Sequence, residues 1–144
     1  MFLSDLTNRG STPALAAMLS YTQQRHGMIA RNIANIDTPG YQAERLDPEM
    51  FQKALGEALR DRRSDAGRRF GVRSAEQFEV NEDGSVRVRP VTTPLGNVMF
   101  HDGTTLSIEQ EMSDLASNAM MHQTATSLLR GHFERLMTAI RGRI

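Results

Sequence analysis

Apolar and tolerant positions recur at alternating steps of four and three near both ends of the chain. From Leu15 they fall at Leu15, Leu19, Thr22, His26, Ile29, Ile33 and Ile36. That stripe on one face predicts an N-terminal amphipathic helix. Thr12 and Pro13 form its expected start, as N-cap and first helical residue. Its expected end lies before Asp37-Thr38-Pro39-Gly40-Tyr41, because proline disfavours helical geometry in the residue before it and Pro-Gly suits a tight turn. The C-terminal stripe is longer: Ile108, Met112, Leu115, Ala119, His122, Thr126, Leu129, Phe133, Leu136 and Ile140. Ser107 with Gln110 reads as a capping box, and Arg141 and Arg143 close the helix with the charge its dipole favours.

Between these ends the periodicity changes. Asp47-Pro48 opens a short helix in which Met50, Phe51, Ala54, Leu55, Ala58 and Leu59 share a face, with a polar stretch from Arg60 to Arg69 after it. Phe78-Glu79-Val80 and Val86-Arg87-Val88 flank Asn81 to Ser85 as the arms of a hairpin. Pro90, Pro94 and Gly96 then mark an irregular connection. The expected fold is mainly α, with long N- and C-terminal helices in a coiled-coil-like axial core and a small irregular middle segment. Residues 1–45 and 105–144 form that core, and residues 46–104 the middle.

If the terminal helices pair antiparallel, one alignment sets Leu15 against Phe133, Leu19 against Leu129, Thr22 against Thr126, His26 against His122, Ile29 against Ala119, Ile33 against Leu115 and Ile36 against Met112. Thr22, His26, His122 and Thr126 then form adjacent polar layers that set register, as buried polar residues do in coiled coils. Such a pair is too small to be stable alone and should order on assembly. Met18, Tyr21, Met28, Met120 and Met121 flank the seams as candidates for packing between subunits.

Composition narrows the function. The 144 residues suit a single domain, and 17 basic residues balance 17 acidic ones. Zero net charge removes the field expected of a nucleic-acid binder. Cysteine is absent, which excludes disulfides and thiolate chemistry. Neither a signal peptide nor a membrane-spanning run is recognised. His26, His122 and the His101-Asp102 pair lack the partners of a metal or acid–base site. The expectation is no enzyme, no cofactor, no metal and no small-molecule substrate. Arg60, Arg62, Arg63, Arg68, Arg69 and Arg73, followed by Glu76, Glu79, Glu82 and Asp83, read either as a solvated linker or as charges that pair between subunits or line a face toward lipid headgroups or a neighbouring ring protein.

Asn32-Ile33-Ala34-Asn35-Ile36-Asp37-Thr38-Pro39-Gly40-Tyr41 resembles the signature of the flagellar rod, hook and hook-filament junction family, in the form typical of its proximal rod members. Asp102-Gly103-Thr104-Thr105-Leu106-Ser107-Ile108-Glu109-Gln110-Glu111-Met112 is similar to that family's Asp-Gly-Asn-Thr-Val-Asp-Leu-x-x-Glu-Met, with Thr104 and Ser107 as departures. Leu128-Leu129, Phe133, Leu136 and Ala139-Ile140 resemble its closing pattern, and His122 stands where the family often has Tyr. The resemblance implies a structural subunit of the basal-body rod that polymerises through its terminal helices and transmits torque. It also implies type III export and a place on the periplasmic side of the inner membrane. The implied partners are other rod subunits, the adaptor protein FliE, the export gate and the MS ring. A soluble coiled-coil adaptor or export chaperone is the alternative reading.

Overall fold

The computed structural model describes residues 11–38, 41–64, 70–81, 85–94 and 103–142. Three helices account for most of them: α1 over Thr12–Ala34, α2 over Pro48–Ser64 and α3 over Gly103–Ile140. The strands are β1 (Gln42–Arg45), β2 (Phe78–Val80), β3 (Val86–Val88) and β4 (Val91–Pro94). They form two separate antiparallel ladders, β1 with β4 and β2 with β3. The fold is thus mostly helical with a small strand component.

Helix α1 begins one residue earlier than the Thr12 cap predicts. Ser11 takes the N-cap place with no side-chain cap bond, Pro13 falls in the first turn, and Leu15 N–H donates to Ser11 O at 3.0 Å. Thr12 lies inside the helix, buried, with its Oγ1 unpartnered. At the other end the Asn35 amide donates to Arg31 O through both its backbone N–H (3.1 Å) and its Nδ2 (2.8 Å). This ends the helix at Ala34, and a turn follows.

The middle segment supplies the main core. Tyr21 of α1 stacks on Phe51 of α2 with ring centroids 4.0 Å apart and planes 2° from parallel, and Phe51 meets Phe78 of β2 edge-on at 5.4 Å. Ala17, Ala58, Val72 and Val86 complete this cluster. Met28, Ile29 and Leu46 form a second cluster, against which Ile33, Val88 and Leu115 pack. Tyr21 and Met28, expected to face other subunits, are therefore core residues of this one. Helix α1 is buried on two sides, and one apolar stripe does not reveal the second.

The Phe78–Val80 and Val86–Val88 arms pair as expected, in the register Phe78–Val88, Glu79–Arg87 and Val80–Val86. Strand β4 was expected to be irregular, yet it pairs with β1 from Gln42–Pro94 to Arg45–Val91. Prolines at its flanks mask a strand whose partner lies about fifty residues away in sequence. Helix α2 also runs through Arg60 to Ser64, a stretch read as polar connection; arginine is a good helix former.

Candidate functional site

Both ladders lean on polar side chains of α1. Ser20 Oγ donates to Val86 O at 3.0 Å and accepts from Val86 N–H at 3.2 Å. Gln24 Nε2 also donates to Val86 O, and Gln24 Oε1 accepts from Val88 N–H at 3.1 Å. Asn32 repeats the arrangement on β1: its Nδ2 donates to Glu44 O at 2.8 Å and its Oδ1 accepts from Glu44 N–H at 3.0 Å. Ser20 and Gln24 stand one four-residue step apart on the same side of the helix, and Asn32, eight residues on, lies about 80° further round, where it meets the other ladder. They act on β3 and β1 as a neighbouring strand would, satisfying edge groups that would otherwise be left open.

Asn32 is the centre of the turn motif. It is 3% exposed, and besides Glu44 it receives Tyr41 Oη–H on Oδ1 at 3.1 Å and donates from Nδ2 to Glu111 Oε2 of α3 at 3.3 Å. Arg45 approaches the other Glu111 oxygen at 3.5 Å, and Arg31 bridges to Glu44 at 2.6 Å. The motif thus joins the end of α1, strand β1 and helix α3 at one buried amide. Ile33 packs against the second core cluster and Ile36 is half-buried, whereas Ala34, Asp37 and Thr38 are exposed. Pro39 and Gly40 lie outside the described residues.

The α1–α3 pairing differs from the expected alignment by about one helical turn. In place of a His26–His122 layer, His122 Nδ1 meets Thr22 Oγ1 at 2.8 Å, and His26 is exposed. Thr126 Oγ1 donates to His122 O of its own helix at 2.9 Å and not across the seam. If Thr22 gives its one proton to Leu19 O, 3.1 Å away, His122 holds its own on Nδ1. Asn118 Nδ2 donates to Thr22 O at 2.9 Å, and Arg25 pairs with Asp114 at 3.2 Å.

Helix α3 also presents a different face. Its fully buried residues among those described are Glu111, Asn118 and Ala125, each one position before the expected Met112, Ala119 and Thr126. One residue is about 100° of rotation, and since the other row of the stripe stays at the seam the buried face turns by roughly half of that. Leu115, His122, Leu129 and Leu136 remain partly buried, as does Ile108. Met112 (51% exposed), Phe133 (41%) and Ile140 (73%) point outward with Met120, Leu128 and Met137. On α1, Ile29 is buried and Leu15 and Leu19 are half-buried. The helix starts at Gly103, so Ser107 is in its second turn and not at its cap.

Sequence reasoning passed over Ser20, Gln24, Arg25, Glu111 and Asn118. The available signal was spacing: Ser20 and Gln24 one four-residue step apart on α1, and Glu111 and Asn118 one seven-residue step apart on α3. The charge cluster resolves in part into pairs within the chain, Arg73–Asp61 at 3.2 Å and Arg89–Glu79 at 2.5 Å. Arg68, Arg69, Glu82, Asp83 and the His101-Asp102 pair lie outside the described residues. Among the described residues there is no group of three or more His, Asp or Glu side chains placed to hold a metal. No described helix is long and apolar enough to cross a membrane. Burial pushes the Tyr21 hydroxyl up to about 12, against a smaller opposing pull from Arg25 and with a further push from Asp47.

The family described as "Flagella basal body rod protein" matches residues 19–42, which hold the second half of α1 and the turn motif. The chain is 27% identical to flagellar basal body rod protein FlgB of Escherichia coli K12 over 129 residues, covering 85% of this chain and 86% of that one. It is 29% identical to the FlgB of Aeromonas hydrophila over 127 residues, covering 86% and 87%. For the Bacillus subtilis FlgB the figures are 27% over 134 residues, with 92% and 95% covered. The chain is similar to flagellar basal body rod proteins over most of its length. The matching family and these relatives carry names of rod components of the flagellar basal body. No solved structure matches the chain.

Proposed function

We propose that this chain is a subunit of the proximal rod, polymerising through its terminal helices to carry torque. The observation that carries the reading is the outward row of α3. Met112, Phe133 and Ile140 sit at multiples of seven residues, with Leu128 and Met137 beside them, all substantially exposed. A seven-residue apolar row is the sequence form of a helix seam, and here it faces away from α1. Residues 1–45 and 105–144 build the axial core in this reading. The coiled-coil packing arises between subunits, where the outward row meets helices of neighbours in a heterologous, non-closing array.

The Asn32 junction fixes the angle at which the chain leaves α1, so that the middle segment projects from the axis in the same way in every copy. The subunit reaches the rod by type III export and sits on the periplasmic side of the inner membrane. There it contacts FliE, the export gate and the MS ring at its base, and the next rod subunit above.

Peptide mass spectrometry on detergent-extracted, salt-washed basal bodies, with the soluble fraction run beside it, tests the assignment. Stoichiometric enrichment with other rod proteins is expected. Recovery only as a soluble oligomer, with those proteins present in the basal bodies, would overturn it and favour an adaptor or chaperone.

A further inference from the structure

The chain has nine methionines and no cysteine, so thioethers are its only oxidisable sulfur. The fold sorts the described ones into two classes. Met28 is 3% exposed, Met18 and Met50 pack against the aromatic cluster, and Met121 is half-buried. Met112, Met120 and Met137 are 51%, 72% and 48% exposed, and all three lie on α3. Met112 belongs to the outward row of Phe133 and Ile140, and Met137 stands beside it.

Met137 also lines a groove with Phe133, Arg130 and Arg141. Phe133 precedes it by one turn and Arg141 follows by one, and Arg141 N–H donates to Met137 O at 3.1 Å, which keeps the helical spacing to that point. A thioether in this place is a soft, polarizable surface suited to an aromatic edge and to an apolar neighbour. A sulfoxide is not: its oxygen is a hydrogen-bond acceptor, and a guanidinium lies one turn away to receive it.

We propose that Met112, Met120 and Met137 are the oxidation sites of the free subunit, and that sulfoxide at Met112 or Met137 bars the subunit from assembly without unfolding it. The oxidant is a peroxide. One oxygen of hydrogen peroxide passes to the sulfur and the other leaves as water; the sulfur gives up two electrons, which the broken O–O bond takes. A dithiol reverses the step, becoming a disulfide as the sulfoxide oxygen departs as water, and it must come from another protein because this chain has no thiol. On the open face of α3 the new oxygen is hydrated, so the core is untouched. Burial against a neighbour's apolar side chain strips that water without supplying a donor. At Met137 the guanidinium of Arg141 supplies one and turns the side chain away from Phe133. The bar to assembly rests on the rod reading, whereas the choice of methionines is a property of the isolated chain.

Treating the full chain with hydrogen peroxide and following each methionine by peptide mass spectrometry tests that choice. Met112, Met120 and Met137 should oxidise at least about fivefold faster than Met28, with the far-UV spectrum unchanged at their full conversion. Oxidation of Met28 in step with them, or loss of helical signal on their conversion, would overturn the proposal. The bar to assembly is tested in cells given isotopically labelled hydrogen peroxide, by comparing labelled sulfoxide in the soluble pool with that in basal bodies. The labelled fraction at Met112 and Met137 should be at least about fivefold lower in the basal bodies, and equal fractions would overturn the proposal. Absence of the chain from basal bodies would remove the rod reading and the bar to assembly with it, while the oxidation sites stand or fall on the first experiment.

Discussion

At the scale of single residues, Asn32 has the most consequences. Its amide pairs with both polar backbone groups of Glu44, as a strand would, and reaches Glu111 from the same nitrogen. Asn32→Asp would replace that nitrogen with a second acceptor facing a carbonyl and a carboxylate. We expect a loss of about 3 kcal/mol or more in urea unfolding, from buried groups left unpaired and like charges brought together. Asn32→Ala should cost less, about 1–3 kcal/mol. The residue stood out in the sequence as part of a recognisable string, but its work did not: nothing in the string says that the acceptor and donor it needs belong to Glu44, twelve residues on.

Tyr21 gives a second test at this scale. Its hydroxyl titrates near 12 in the folded chain and near 10 when exposed, so the folded state holds the proton more tightly. The stability associated with the neutral hydroxyl is complete below pH 10 and is lost as pH rises from 10 towards 12. The loss across that window is roughly 2–3 kcal/mol. Urea midpoints of the original chain should therefore fall more steeply across that window than those of Tyr21→Phe, and equal slopes would refute the assignment.

At the scale of elements, the outward row of α3 makes the clearest prediction. Phe133→Asp and Ile140→Asp lie on exposed positions, and such changes usually alter stability by no more than about 0.5 kcal/mol. We expect both variants to fold normally by circular dichroism and to be lost from basal bodies. Normal incorporation of the pair would count against the outward row as the assembly surface.

The hairpin and the existence of all three helices were legible because local alternation and turn residues specify them. The rotation of α3 was not, because its inner row of Glu111, Asn118 and Ala125 is polar or small and gives no hydrophobic signal. The β1–β4 ladder was hidden for another reason: its pairing joins Arg45 to Val91 across the whole of α2 and the hairpin.

At the scale of the whole molecule, the middle segment turns out to be the partner that the N-terminal helix requires. Two helices with polar layers could not be expected to stand alone, and the structure supplies Phe51, Phe78, Val72 and Val86 as the missing apolar neighbours. Phe51→Ala should therefore cost about 3–5 kcal/mol and disrupt α1, α2 and the hairpin together, as read by a single urea transition of lowered midpoint. Persistence of helical signal from α1 after loss of the aromatic cluster would contradict that coupling. The sequence division into axial ends and a middle remains useful for locating motifs, but it understates how far α1 depends on the segment it appears to exclude.

Ser20, Gln24 and Asn32 give the chain a direction in time. Neither β3 nor β1 has its outer hydrogen-bonding groups satisfied until a formed helix presents these three side chains, and α1 is the first described element to be synthesised. Once the middle segment packs against it, α1 is the edge on which both ladders close. A circularly permuted chain in which α1 came last would have the same contacts available, but its strands would have to wait, edges bare, for the part that completes them.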